Sequence, residues 1–217
     1  MAFPTSSTLD ALTRGFESPL GNVTWSSPTQ GTDDFMILPD ATGASAHASG
    51  VLASSYWSAA SFGPDCEVWV KFPTVITDSF VTGIMARIIN PGASVTAYKL
   101  FVALSAGVTT WTLAYLVSGT QTQITTATQT VSATHGIGLE CIGTAIKCYH
   151  FNGTSWNQTP IISVTDSNVT AAGRLGIRCN DTSTRIAPFG GGTIEASGIA
   201  LDHAGIVPQL FRTTRRL

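Results

Sequence analysis

Carboxylates are the first residues whose types could support chemistry. Retaining hydrolysis of a glycosidic bond needs two carboxyl groups about 5–5.5 Å apart, one as the nucleophile and one as the acid. The glutamates are widely separated in the sequence: Glu17, Glu67, Glu140 and Glu195. Asp33 and Asp34 are consecutive, so in a strand their side chains would point to opposite faces. The sequence therefore predicts no carboxylate pair for this reaction, and we expect the protein not to be an enzyme.

Cysteine spacing gives no sign of a metal site. Zinc sites usually contain cysteines two residues apart, and no Cys-x-x-Cys motif occurs among Cys66, Cys141, Cys148 and Cys179. A turn at 143–144 would place Cys141 and Cys148 in diagonal positions of a hairpin, about 7–8 Å apart, which is too far for an easy disulfide. We therefore expect four buried, reduced thiols that pack as small hydrophobic groups.

Histidines and aspartates do not cluster in the sequence either. His47, His135, His150 and His203 are dispersed, although His135 and His150 can approach each other across a hairpin. Isolated turn or surface histidines are the more ordinary interpretation. Calcium could use Asp33, Asp34 or Asp181, but no clustered ligand loop is visible. We predict no metal and no other cofactor.

Aromatic residues are the best candidates for contact with a ligand. Trp156 follows a turn at 152–153, and the residues around it could offer a sugar a flat apolar face with amide groups at its rim. This predicted ligand site consists of Trp156, Tyr149, His150, Asn152 and Asn157. Packing of Trp156 in the core or within its loop is the alternative interpretation.

The pattern of the chain indicates an all-β fold. Thr, Val and Ile are frequent and suit a pleated surface. Residues 66–72 alternate polar and apolar side chains, residues 135–151 form a clear hairpin pattern, and residues 121–131 form a Thr/Gln tract typical of a sheet edge. One short helix is expected around 7–13, and Gly190–Gly192 are expected to form a tightly packed turn. No longer helical pattern is visible, so the pattern predicts an antiparallel β-sandwich or barrel in a single domain.

Charge and hydropathy exclude two classes of partner. Only 11% of the residues are charged, and the net charge is −2, which provides no basic surface for nucleic acid. No apolar run reaches the roughly 20 residues that a membrane helix requires. The first residues, Met-Ala-Phe-Pro-Thr, do not resemble a secretory signal. We therefore expect neither nucleic acid nor a membrane as a partner, and synthesis in a cytoplasm.

The order of several short segments is similar to that of a known family. These segments are 10–14, 15–21, Trp25, 56–57, 62–68, 83–87, 138–143, Trp156, 172–177 and 189–192. Together they resemble the concanavalin A-like lectin/glucanase (LamG-like) jelly-roll domains of bacteriophage virion proteins. The likeness spans almost the whole chain, but it consists of turn and core residues and is therefore more specific for fold than for function.

This resemblance implies a concanavalin A-like jelly roll and several alternative functions. Catalytic glucanases of the fold carry Glu-x-Asp-x-Glu on one strand, a motif that this chain lacks. The resemblance therefore implies a non-enzymatic structural or decoration protein of a phage virion, in the capsid or the tail. A carbohydrate-binding adhesion module for host-surface glycans is the alternative, and an atypical glycan hydrolase is a third.

The expected organisation has three parts. Residues 1–32 are an extended arm with the first strand, residues 33–207 are the jelly roll, and residues 208–217 are a basic tail. The expected partners are other virion proteins, further copies of the chain and host-surface polysaccharide. The predicted assembly contacts lie in the arm and the tail: Phe3, Arg14, Arg212, Arg215 and Arg216.

Overall fold

The computed structural model describes residues 2–18, 20, 24–26, 35–40, 43–48, 53–74, 80–180 and 185–195. Every regular element in these ranges is a β-strand. The strands are β1 (Thr8–Asp10), β2 (Trp25–Ser26), β3 (Phe35–Asp40), β4 (Gly43–Ala48), β5 (Ala53–Trp57), β6 (Cys66–Lys71), β7 (Phe80–Ile89), β8 (Thr96–Ser105), β9 (Val108–Val117), β10 (Thr120–Thr128), β11 (Gly136–Ile142), β12 (Ala145–Phe151), β13 (Ile162–Thr165), β14 (Arg174–Cys179) and β15 (Phe189–Thr193). The predicted all-β class is confirmed.

Two antiparallel sheets form the sandwich. The six-stranded sheet has the order β1-β15-β6-β11-β12-β13, and the seven-stranded sheet has the order β10-β9-β8-β7-β14-β5-β2. Strands β3 and β4 form a separate two-stranded hairpin. Alternation along each strand sends one set of side chains into the space between the sheets and the other set to an outer face.

The core lies between the two sheets. In the seven-stranded sheet, Leu100 and Ile177 point inward, and Val68 and Leu139 meet them from the six-stranded sheet; all four are fully buried. Trp111 is buried in the same core and donates its indole N–H to the carbonyl of Gln129 at 2.8 Å. Because neighbours in a strand alternate, Lys99 and Arg178 lie on the outer face.

Turn chemistry fixes the register of the long hairpins. Between β8 and β9, Ala106 and Gly107 have φ angles of 49° and 77°, and Ser105 pairs with Val108. Two consecutive left-handed residues make the turn that best matches the twist of the strands it joins. Strand β10 follows as the outermost described strand of its sheet, which confirms that the Thr/Gln tract is a sheet edge.

Two local predictions are wrong. The expected helix around 7–13 is replaced by β1, because pairing with β15 satisfies the backbone there and Asp10 accepts the amide N–H of Leu12 and the indole N–H of Trp25, both at 2.8 Å. Gly190–Gly192 form no turn but belong to β15, between β1 and β6. The expected tight packing is present, because a Cβ atom on Gly190 would lie 2.1 Å from the Trp69 ring.

Arg87 joins three loops at one end of the sandwich. Its side chain is fully buried and donates to the carbonyls of Pro64, Gly143 and Val169 at 2.6, 2.8 and 2.6 Å. These carbonyls follow or precede strands of both sheets, so a single guanidinium connects the two layers. No helix capable of crossing a membrane occurs in the part of the chain that the structure describes.

Candidate functional site

An aromatic cluster on the outer face of the six-stranded sheet contains two of the predicted ligand residues. We use this name for Phe3, Trp69, Tyr149 and Trp156. Phe3 stacks on Tyr149 with ring centroids 4.2 Å apart, and it meets Trp156 edge-on at 4.9 Å. The chain's own N-terminal segment therefore covers the surface that the sequence suggested for a sugar.

Two glycines make room for this cluster. A Cβ atom on Gly138 would lie 2.2 Å from the Phe3 ring, and one on Gly190 would lie 2.1 Å from the Trp69 ring. Both distances are far below van der Waals contact. Phe3 is also held by Gln158, whose Oε1 accepts the Phe3 N–H at 2.9 Å and whose Nε2 donates to the Phe3 carbonyl at 3.0 Å.

Two carboxylates lie side by side next to the N-terminal segment, by which we mean residues 2–7. Glu67 of β6 and Glu140 of β11 are direct cross-strand partners on the outer face, and both are buried. The expectation that the acids are too dispersed to meet is wrong for this pair. Asp65 lies two positions before Glu67, and the sequence interpretation overlooked this pair of acids. The Asp65 carboxylate does not join the Glu67–Glu140 pair, because it accepts the Gly143 N–H at 2.7 Å.

Both carboxylates of this pair are buried and accept hydrogen bonds from within the chain. Oε1 of Glu67 accepts the backbone N–H of Thr5 at 2.6 Å, the Thr5 hydroxyl at 3.0 Å and the N–H of Ser6. Glu140 accepts from Lys147 at 3.1 Å and from the Tyr149 hydroxyl at 3.4 Å. Glu67 thus anchors the N-terminal segment on the sheet, whereas Glu140 is held by side chains of β12.

The remaining predicted ligand residues lie apart from the aromatic cluster. His150 points to the opposite face from Tyr149, where it contacts Trp111, and its Nε2 lies 2.9 Å from Nδ1 of His135. Burial, together with the charge of His135, lowers the pKa of His150 to about 4. The carboxamide oxygen of Asn152 accepts the N–H groups of residues 154 and 155. The backbone N–H of Asn157 donates to the His150 carbonyl at 2.9 Å.

The predicted assembly residues in the described part of the arm make contacts within the chain. Phe3 is 2% exposed in the aromatic cluster. Arg14 pairs with Asp10 at 2.8 Å and with Glu17 at 2.6 Å. Strands β1 and β2, which belong to the expected arm, are members of the two sheets. Arg212, Arg215 and Arg216 of the expected basic tail lie outside the described residues, as do Asp33, Asp34 and Asp181.

A pocket on the outer face of the seven-stranded sheet provides a different site. We call it the basic pocket; it has a volume of about 220 Å³ and is lined by Val81, Thr82, Gly83, Lys99, Phe101, Gln121, Arg178 and Asn180. Its floor is formed where Gly83 pairs with Phe101 on one side and with Arg178 on the other. A Cβ atom on Gly83 would lie 2.6 Å from the carbonyl oxygen of Leu100 and 2.9 Å from Cβ of Phe101, so the close approach of β8 requires glycine at this position.

Polar groups converge on this pocket from three strands. Lys99 of β8 donates to Oε1 of Gln121 in β10, and its Nζ lies 4.7 Å from the centre of the Phe101 ring. Oδ1 of Asn180, directly after β14, is buried and has no hydrogen-bond partner among the residues that the structure describes. The pocket therefore offers an apolar ring, amide groups and two cationic side chains.

Burial perturbs both cations of the basic pocket. Burial, and to a lesser extent the charge of Arg178, lowers the pKa of Lys99 to about 7. Burial also lowers the pKa of Arg178. Strongly perturbed groups in a concave site are a feature of functional sites.

The sequence interpretation missed the basic pocket. No pattern in the sequence gives a reason to bring Lys99 and Arg178 together. A signal was present: Lys99 stands among apolar residues in a chain with only 11% charged residues. A charged residue in such a strand must lie on the face away from the core, and a lysine among apolar residues is a candidate for a functional role.

The fold is similar to that of lectin-like β-sandwiches of known structure. No protein-family model matches the sequence, and no curated protein matches it. Among solved structures, it is similar to the carbohydrate-binding module CBM66 from Bacillus subtilis, with a TM-score of 0.56, 15% identity and coverage of 80% of this chain and 96% of that one. It is also similar to a protein of unknown function with a galectin-like fold from Bacillus subtilis. The TM-score is 0.56 and the identity 12%, and the match covers 77% of this chain and 88% of that one. A third similar structure is the exoplasmic/lumenal domain of VIP36 with mannose and Ca²⁺ bound. Its TM-score is 0.53 and its identity 10%, and the match covers 81% of this chain and 85% of that one.

Proposed function

We propose that the protein is a non-catalytic carbohydrate-binding module and that the basic pocket is its ligand site. The observation that carries the proposal is the convergence of the Phe101 ring with the amides of Gln121 and Asn180 in one concave site. Sugar sites need an apolar surface for the C–H face of the ring and a few fixed polar groups for its hydroxyls. A volume of about 220 Å³ suits one sugar unit better than an extended ligand.

The fold neighbours support this proposal. CBM66 is described as a carbohydrate-binding module, and the VIP36 domain was solved with mannose bound. The described residues that line the basic pocket include no carboxylate that could act as an acid or a nucleophile. On the other sheet, Glu67 accepts hydrogen bonds from the N-terminal segment, and Glu140 accepts one from Lys147 of β12. Both observations favour binding over hydrolysis.

The test is a glycan array followed by calorimetry on the retained sugars. We expect the wild-type chain to bind a defined set of glycans, and Phe101→Ala to abolish retention because the ring supplies the apolar face. Phe16→Ala is the matched control, since Phe16 is 66% exposed and lies outside the pocket. Silence of the wild type across neutral and charged glycans would reject the proposal. Release of reducing ends from polysaccharide would instead favour an atypical glycan hydrolase.

The resemblance to phage virion domains extends the proposal to location. The module would be carried on a virion, on the capsid or tail, after synthesis in a host cytoplasm. The largely exposed edge strand β10 can pair with a neighbouring virion protein or a further copy through its backbone. Many copies on one particle would raise weak sugar affinity through multivalency. Mass spectrometry of purified particles tests this, and recovery only from the soluble lysate would contradict it.

A further inference from the structure

The charges of the basic pocket indicate which class of sugar the pocket would bind. Lys99 and Arg178 stand on β8 and β14, the two strands that flank β7, and both side chains lie on the outer face. The described lining residues thus contribute two positive groups and no negative one. Such a site attracts an anion and disfavours a cationic ligand.

Lys99 is held in a place that is costly for an ammonium group. Lys99 is only 4% exposed, and within the described part of the chain its ammonium group contacts the neutral Gln121 oxygen and the Phe101 ring. An amide oxygen and an aromatic face partly solvate the charge but do not neutralise it. Burial of a charge without a counter-charge is costly enough that a buried ammonium group tends to give up its proton. The lowered pKa of Lys99 agrees with this cost.

An anionic ligand would remove that cost. A carboxylate beside Lys99 would accept a charge-assisted hydrogen bond from its ammonium group, and the positive charge of Arg178 would add to the attraction. We propose that the basic pocket selects sugars bearing a carboxylate, so that the ligand of the module is an acidic saccharide. This inference rests on the proposed carbohydrate-binding function and adds the ligand's charge to it.

The rest of the pocket distinguishes a sugar acid from a simple anion. The Phe101 ring borders the space and can pack against a pyranose ring. The unpartnered Oδ1 of Asn180 needs a donor, which a sugar hydroxyl supplies and a deprotonated phosphate or sulfate does not. The small volume admits a single ring with its substituent rather than a broad polyanion surface.

The experiment compares one saccharide in two charge states. Oligogalacturonate and its carboxyl-reduced, neutral counterpart are titrated into the full chain by calorimetry, with poly-glutamate as a carboxylate polymer without sugar rings. Arg178→Gln removes one cation of the pocket. Arg174→Gln is the matched control, because Arg174 lies on the same strand and packs on Tyr56, outside the pocket. Circular dichroism confirms that each variant is folded.

We expect the wild type to bind the acidic oligomer at least about tenfold more tightly than the reduced one, the value of one charged hydrogen bond. Arg178→Gln should lose that preference, and Arg174→Gln should keep it. Equal binding of both oligomers would overturn the acidic preference and leave the carbohydrate-binding proposal intact. Binding of neither oligomer, nor of any arrayed glycan, would reject both. Equal binding of poly-glutamate would show a general polyanion site and overturn the sugar specificity.

Discussion

Phe3 and Tyr149 stack face to face, with centroids 4.2 Å apart and ring planes 9° from parallel. This contact joins the beginning of the chain to β12, near the far edge of the six-stranded sheet from β1. Thr5 and Ser6, between Phe3 and β1, donate to Glu67 on the way. The N-terminal segment is therefore part of the sandwich surface.

Truncation of this ring should destabilise the whole domain. Phe3→Ala removes a ring that is 2% exposed, and we expect a loss of about 3 kcal/mol in the free energy of unfolding. Urea denaturation measures the loss, and amide hydrogen exchange should show faster exchange at Thr5 and Ser6. Phe16→Ala, on a largely exposed ring, should change stability by less than about 0.5 kcal/mol. Equal effects of the two substitutions would contradict the anchoring role.

Replacement of the Arg87 guanidinium by a group of different shape should destabilise the domain. Arg87→Lys keeps the positive charge but cannot donate to three carbonyls in the directions that the guanidinium serves. We expect a loss of about 3 kcal/mol, because an imperfectly bonded charge would stay buried. Arg174→Lys, on the outer face beside Tyr56, should lose less than about 1 kcal/mol. A wild-type-like denaturation curve for Arg87→Lys would disprove the bridging role.

Local patterns in the sequence were sufficient for several strands. The alternation in residues 66–72 corresponds to β6, and the hairpin pattern in residues 135–151 corresponds to β11 and β12. The diagonal placement of Cys141 and Cys148 is confirmed, because Cys141 pairs with Ile146 and Cys148 with Leu139. These features depend on neighbours within one hairpin, where turn chemistry fixes the register.

Features that depend on the order of strands were not predictable. The basic pocket needs β10, β8, β7 and β14 side by side, and no local pattern specifies that order. Glu67 and Glu140 meet only because β6 and β11 are neighbours in register. Phe3 was assigned to an outer contact because an exposed arm and a docked arm have the same local sequence. The site could not be predicted because it depends on pairing between strands that are distant in the sequence, whereas the fold class could be predicted from local patterns.

The His135–His150 contact should make stability depend on acid. The unfolded chain takes up a proton on His150 near its ordinary pKa of 6.5, whereas burial and His135 lower the pKa in the folded chain to about 4. Stability is therefore kept above pH 6.5 and lost as the pH falls from 6.5 to 4, by at most about 1.4 kcal/mol per pH unit from this group. Denaturation curves across this range should be steeper in pH for the wild type than for His150→Gln. Parallel curves would contradict the lowered pKa.

The buried ammonium of Lys99 should lower the stability of the free protein. The folded chain releases this proton near pH 7, and the unfolded chain releases it near the ordinary pKa of 10.5, with Arg178 as the charge that faces it in the pocket. The unfolded state therefore binds more protons between these values, so stability rises with pH from 7 to 10.5. Lys99→Met should be more stable than the wild type by about 2 kcal/mol at pH 7, and the difference should shrink toward pH 10.5. Lys147→Met, as a control, should lose stability, because it leaves the buried Glu140 carboxylate without its 3.1 Å partner. If Lys99→Met were less stable than the wild type at pH 7, the ammonium would have a compensating partner, and the need for an anionic ligand would disappear.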